Sequence, residues 1–174
     1  MIRVILFAPM ALLLASCGLT PMYAGGSSGA VAQGLGQITV SDIPYRSGWL
    51  LQGELNQRLG NSGSTGGAIY RLDVRLDDEL EGLGVLNDDT VSRERRTLRA
   101  RYQLVDIAAD TILIDATAGS DAGIDVVSSE YATIAAEQRA LENLAKEVAD
   151  QIVTRVALEL RTRGEATKPA SAPE

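Results

Sequence analysis

The chain has 174 residues, a formal net charge of −7, one cysteine and no histidine. The acidic balance is a poor match to nucleic acid. The missing histidine and the absence of a second thiol remove intramolecular disulfides and most metal, general-base and cysteine-nucleophile chemistry.

The first element is a leader. Met1-Ile2-Arg3 gives a positive start, Val4 to Leu14 is an apolar run broken only by Pro9, and the small residues Ala15 and Ser16 precede Cys17. This is the layout of a secretory signal peptide over residues 1–16. The apolar run falls short of the ~20 residues that a bilayer-spanning helix needs. The order Leu14-Ala15-Ser16-Cys17 matches the bacterial lipobox. That resemblance implies lipidation of Cys17, cleavage before it and acylation of the new amino terminus. Several acyl chains anchor a protein stably, whereas one holds it only reversibly. Cys17 is therefore an anchor, and the protein is expected on the membrane through its lipid.

Residues 17–36 hold the cysteine and a Gly/Ser/Ala-rich segment without periodicity, expected as a flexible tether. Gln37 to Ile43 is β-branched and ends at Pro44, a first strand. From Ser47 the period becomes helical, with Leu51, Leu55 and Leu59 on one stripe, Trp49 near its start and Gly60-Asn61 as a stop. "GNSGSTGG" (60–67) lacks the Lys-Ser/Thr that a phosphate loop requires and reads as a loop. "YRLDVRL" (70–76) alternates strictly, with Tyr70, Leu72, Val74 and Leu76 inward. The carboxylates of "LDDELEG" (76–82), before a turn expected at Gly82 and Gly84, lack calcium-loop spacing and should face solvent. "RTLRARYQLVD" places Leu98, Ala100, Tyr102 and Leu104 inward, and "TILIDATA" does the same with Ile112, Ile114, Ala116 and Ala118. Three such strands predict an antiparallel meander with one wet face.

From about Ser129 to Arg163 an apolar stripe runs at helical spacing through Ile134, Leu141, Leu144, Ala145, Val148, Ile152, Val156 and Leu160. The order β-α-β-β-β-α predicts an α+β two-layer sandwich, a small four-stranded, mostly antiparallel sheet with two helices on one face. The domain is expected over 37–163, followed by a disordered polar tail over 164–174.

One constellation stands apart. Arg93, Arg95, Arg96, Arg99 and Arg101 crowd nine positions against one acid, Glu94. On a strand Arg93, Arg95, Arg99 and Arg101 share the non-core face and Arg96 points the other way. A row of guanidinium forks suits phosphate. The plainer alternative is a solvated face laced with acids, with Asp73 and Asp77 of the preceding strand opposite the arginines. Trp49, at a helix start, is a candidate partner anchor, since tryptophan is favoured at interface centres.

The ordered set of lipobox, "CGLTPMY" (17–23), "YRLDVRL", "RERRTLRARYQLVD" (93–106) and an alanine-rich final helix resembles the LptE family of Gram-negative lipopolysaccharide-assembly lipoproteins. The resemblance implies an outer-membrane, periplasm-facing lipoprotein that plugs the LptD barrel, helps assemble it and assists lipopolysaccharide delivery to the outer leaflet. It implies no enzyme activity and no cofactor beyond the lipid on Cys17. Gly18 in place of aspartate after the cysteine fits outer-membrane sorting in enterobacteria. Within that setting Arg93, Arg95, Arg99 and Arg101 are candidate lipopolysaccharide contacts. Two alternatives compete: an auxiliary lipoprotein of another envelope lipid-transport system, and a periplasmic hydrolase using carboxylates such as Asp73, Asp77 and Asp106.

Overall fold

A computed structural model of the chain describes residues 29–60, 67–85 and 91–167. Cys17 and the leader lie outside them. The elements are α1 (Ala30–Leu35), β1 (Ile38–Val40), α2 (Tyr45–Leu59), β2 (Tyr70–Val85), β3 (Val91–Asp106), β4 (Thr111–Asp125) and α3 (Glu130–Thr167). They form one sheet in the order β1-β2-β3-β4, with β1 parallel to β2 and the other pairs antiparallel. The two long helices cover the same face, so the architecture is the α+β two-layer sandwich that the alternation predicts.

Alternation explains the core. Leu72, Leu98, Ala100 and Leu104 are fully enclosed beneath Leu144, Val148, Ile152 and Val156 of α3, and Leu51, Leu55 and Leu59 of α2 complete the same cluster. Each of these aliphatic side chains contributes roughly 1.5–3 kcal/mol by leaving water. Pro44 caps α2 at its start, and Gly60, at φ 74°, ends it in the left-handed conformation that glycine adopts freely. Gly48 lets α2 sit on the chain that precedes it, because a Cβ there would lie 2.5 Å from the Ile43 carbonyl oxygen.

Several expectations are corrected. The glycines Gly82 and Gly84 do not make a turn: β2 stays paired with β3 from Tyr70–Asp106 to Val85–Val91. "LDDELEG" is accordingly part of the strand; its acids are exposed as expected, with the Asp78 side chain on the helix-covered side. Ile112 is 56% exposed, because the register shifts between Leu104 and Val105, makes Leu113 the extra residue and reverses the parity ahead of it. Ile134 is 42% exposed at the first turns of α3, where the stripe outruns the core. Ala30–Leu35, inside the segment read as tether, is helical; Leu35 is buried in the core and Gly34 lies against Leu160. The last helix runs past Arg163 to Thr167.

Candidate functional site

The helix-free face of the sheet is where the arginines converge. Arg93, Arg95, Arg99 and Arg101 of β3 lie on it at alternate positions and are all exposed. β2 adds Arg71, Asp73, Arg75 and Asp77 to the same face, and β4 adds Asp115, Asp121 and Asp125. The acids that pair with the row come from β4, not from Asp73 and Asp77 of β2, the partners offered by the plainer alternative. Arg101 donates to Asp115 from Nε at 3.2 Å and from Nη2 at 3.1 Å, and Gln103 donates to the same carboxylate at 2.9 Å. Arg93 stands 3.6 Å from Asp125, and Arg95 stands 3.9 Å from Asp121. The reason is register: Arg101 is directly opposite Arg75 on β2, while Gln103, its neighbour on this face, is opposite Asp115 on β4.

Arg99 differs from its neighbours. It faces Asp77 across the ladder, but no described carboxylate makes an ion pair with it. Its side chain crosses β4 at Gly119, where a Cβ would meet the arginine Cγ at 3.2 Å. There it lines a shallow depression of about 280 Å³ with Thr97, Thr117 and Asp121. The glycine gives the long side chain its path, a signal that the arginine spacing did not contain.

The electrostatics follow the pairing. The hydrogen bond from Arg101, then that from Gln103, holds the Asp115 carboxyl below its ordinary range, and the bond to Asp115 raises Arg101 in turn. On the opposite face Arg96 binds Asp78 beneath α3, which raises the guanidinium above its ordinary value. Burial pushes the Tyr102 phenol up, opposed by Arg155. Ion pairs as exposed as those of the row contribute roughly 0–1 kcal/mol each. They are exchangeable partners for a ligand anion.

Of the carboxylates considered for hydrolysis, Asp73 and Asp106 have structural tasks, and Asp77 is exposed opposite Arg99. Asp73 accepts from Ser41 at 2.5 Å and from Arg71 at 3.0 Å, and Asp106 accepts the Ala108 and Ala109 amides of the β3–β4 turn at 3.0 Å each. No group of His, Cys, Asp and Glu suited to a metal ion exists among the described residues. Trp49 lies on α2, on the opposite layer from the arginines, and is 71% exposed. No described helix is long and apolar enough to cross a membrane.

The model of the LptE lipopolysaccharide-assembly family matches residues 35–156. The chain belongs to the LptE family. That span runs from the last residue of α1 into α3 and takes in the whole sheet. The LptE fold is seen again in solved lipoproteins. A putative lipoprotein from Caulobacter crescentus superposes with a TM-score of 0.65 at 23% identity, covering 75% of this chain and 96% of that one. Lipoprotein B from Nitrosomonas europaea gives 0.55 at 15% identity over 75% and 86%. Rare lipoprotein B from Shewanella oneidensis gives 0.50 at 14% identity over 74% and 96%. No curated protein sequence matches the chain at a significant level. LptE membership makes this a member of a lipopolysaccharide-assembly family.

Proposed function

We propose that this LptE-family protein, anchored through lipid on Cys17, plugs an LptD-like outer-membrane barrel and holds lipopolysaccharide phosphates on its arginine face. The observation that carries the reading is Arg99. It is an exposed guanidinium without a described acid partner, in a polar depression, flanked by Arg95 and Arg101 whose own ion pairs are solvent-exposed and exchangeable. A dianionic phosphate outcompetes a single carboxylate for such forks because it offers more acceptor oxygens and more charge.

Anchoring and plugging are tested together. Cys17→Ala should abolish fatty-acid labelling of the protein in cells; label retained by the variant would overturn the anchor. A plug docked in a barrel resists protease and depends on its partner for abundance, since docking suppresses local opening. Depletion of the barrel should therefore lower the level of this protein and expose it to protease. Unchanged abundance and cleavage would overturn the plug.

A further inference from the structure

The sheet has two outer edges, and they are treated differently. At the β4 edge α3 reaches one outward-facing residue: the Gln151 side chain accepts the Gly119 N–H and donates to the Gly119 carbonyl, both at 3.2 Å. The amide thus occupies, at that residue, the two backbone groups that an incoming strand would use. Ser120, next along, is bonded to Glu147.

The β2 edge has no such guard. β1 pairs with β2 only from Ile38–Tyr70 to Val40–Leu72, and the Ser41 N–H adds one bond to the Leu72 carbonyl at 3.0 Å. The chain then leaves through Pro44 into α2, while β2 runs on to Val85. Because the Leu72 carbonyl faces β1, alternate residues along the strand face the same way. Val74, Leu76, Asp78, Leu80 and Gly82 therefore aim their N–H and C=O groups out of the sheet, and no described residue supplies them a partner.

Side chains along that edge specify what could pair there. On the helix-free face Asp77, Glu79 and Glu81 are exposed and make no ion pair with a described residue, whereas the β4 acids each have an arginine. On the other face Leu76 is half-buried and Leu80 is 44% exposed. Two exposed aromatics lie on the neighbouring helix α2. At about 100° per residue, Tyr45 and Trp49 lie one turn apart on the side of α2 where Gln52 reaches Ser41, away from the side where Arg58 meets α3. A second copy of this edge would set acid against acid, so self-pairing is opposed.

We infer that the open β2 edge from Val74 to Gly82 receives an extended segment of a partner protein that alternates basic and apolar residues. The main chain of the segment continues the ladder in line with β1, its basic side chains face Asp77, Glu79 and Glu81, and its apolar ones cover Leu76 and Leu80. This is strand addition, in which backbone bonds hold the peptide and alternate side chains select it. The inference stands whether or not an LptD-like barrel supplies the segment.

The test uses the full lipidated chain in neutral detergent and a synthetic peptide alternating lysine and valine. Trp49, the sole tryptophan, reports binding by fluorescence. The expected result is saturable binding with new hydrogen-exchange protection at the Leu76, Asp78 and Leu80 amides. Glu79→Lys with Glu81→Lys should weaken binding about tenfold, two favourable cross-strand pairs having become repulsive. The same peptide N-methylated at alternate residues keeps its charge but cannot pair, and should lose binding. No binding of the parent peptide, no protection at those amides, or equal binding of the methylated peptide would each overturn the inference and leave the acids as guards of the edge.

Discussion

Arg96 donates from Nε and Nη2 to the two carboxylate oxygens of Asp78, each at 2.8 Å, on the helix-covered side of a strand whose other arginines face solvent. Nη1 also reaches the Glu137 carbonyl of α3 at 3.4 Å. One residue of sequence parity thus separates a structural arginine from a surface row. Both partners are mostly shielded, with side-chain exposures of 16% and 20%. Arg96→Ala leaves the partly shielded Asp78 carboxylate without its fork, which costs about 1–3 kcal/mol. Urea unfolding checks this. Arg93→Ala on the opposite face should shift stability by no more than about 0.5 kcal/mol. Equal effects of the two would show that face makes no difference.

A pair of glycines in α2 gives a sharper contrast. A Cβ at Gly48 would meet the Ile43 carbonyl oxygen at 2.5 Å, whereas one at Gly53 meets nothing within 4 Å. Gly48→Ala forces α2 away from the β1 end and should cost about 1–3 kcal/mol through overpacking. Gly53→Ala lies on the exposed side and should stabilise the helix by up to about 1 kcal/mol. The two variants differ by the same methyl group, so opposite shifts in Tm isolate the contact.

The Asp115 carboxyl, held low by Arg101 and then by Gln103, predicts a specific acid titration. A carboxylate whose folded pKa is depressed lends stability above its unfolded value and loses it as pH falls through the folded value. Here the group is solvent-exposed, so the effect on stability is small and the titration itself is the readout. Carboxyl NMR should place Asp115 below an ordinary aspartate, and Arg101→Ala with Gln103→Ala should return it upward. An unmoved titration would mean that the pairing is not populated in solution.

Much of this was legible because alternation is a local property. Leu98, Ala100, Tyr102 and Leu104 are buried on the predicted face, and the opposite orientation of Arg96 follows from the same parity. What the sequence did not reveal depends on register. Nothing local states that Gln103 will stand opposite Asp115 and Arg101 opposite Arg75, and this pairing is why β4, not β2, supplies the acids. The bulge at Leu113 is equally invisible, since a one-residue slip reverses parity without changing composition. The turn expected at Gly82 failed for a related reason. A long hairpin keeps its ladder through glycines when the partner strand continues beside them.

The arginine face makes the last prediction. If Arg93, Arg95, Arg99 and Arg101 hold phosphates, Arg99 should matter most, because it gives up no described ion pair to do so, whereas Arg101 must leave Asp115. Arg95→Glu with Arg99→Glu should therefore weaken lipopolysaccharide binding strongly and make what remains less sensitive to salt, since fewer charges are screened. Lysine at the same positions should bind between the two, keeping attraction but losing the bidentate fork. These side chains point away from the core, so circular dichroism should show an unchanged fold. Leu104→Asp, which places a charge at a fully enclosed position, should unfold the protein and serves as the control for lost structure. The measurement is binding of the full chain to lipopolysaccharide across a salt series. If the double reversal stays folded and binds like the parent, the row is only a solvated face and phosphate has no place on it.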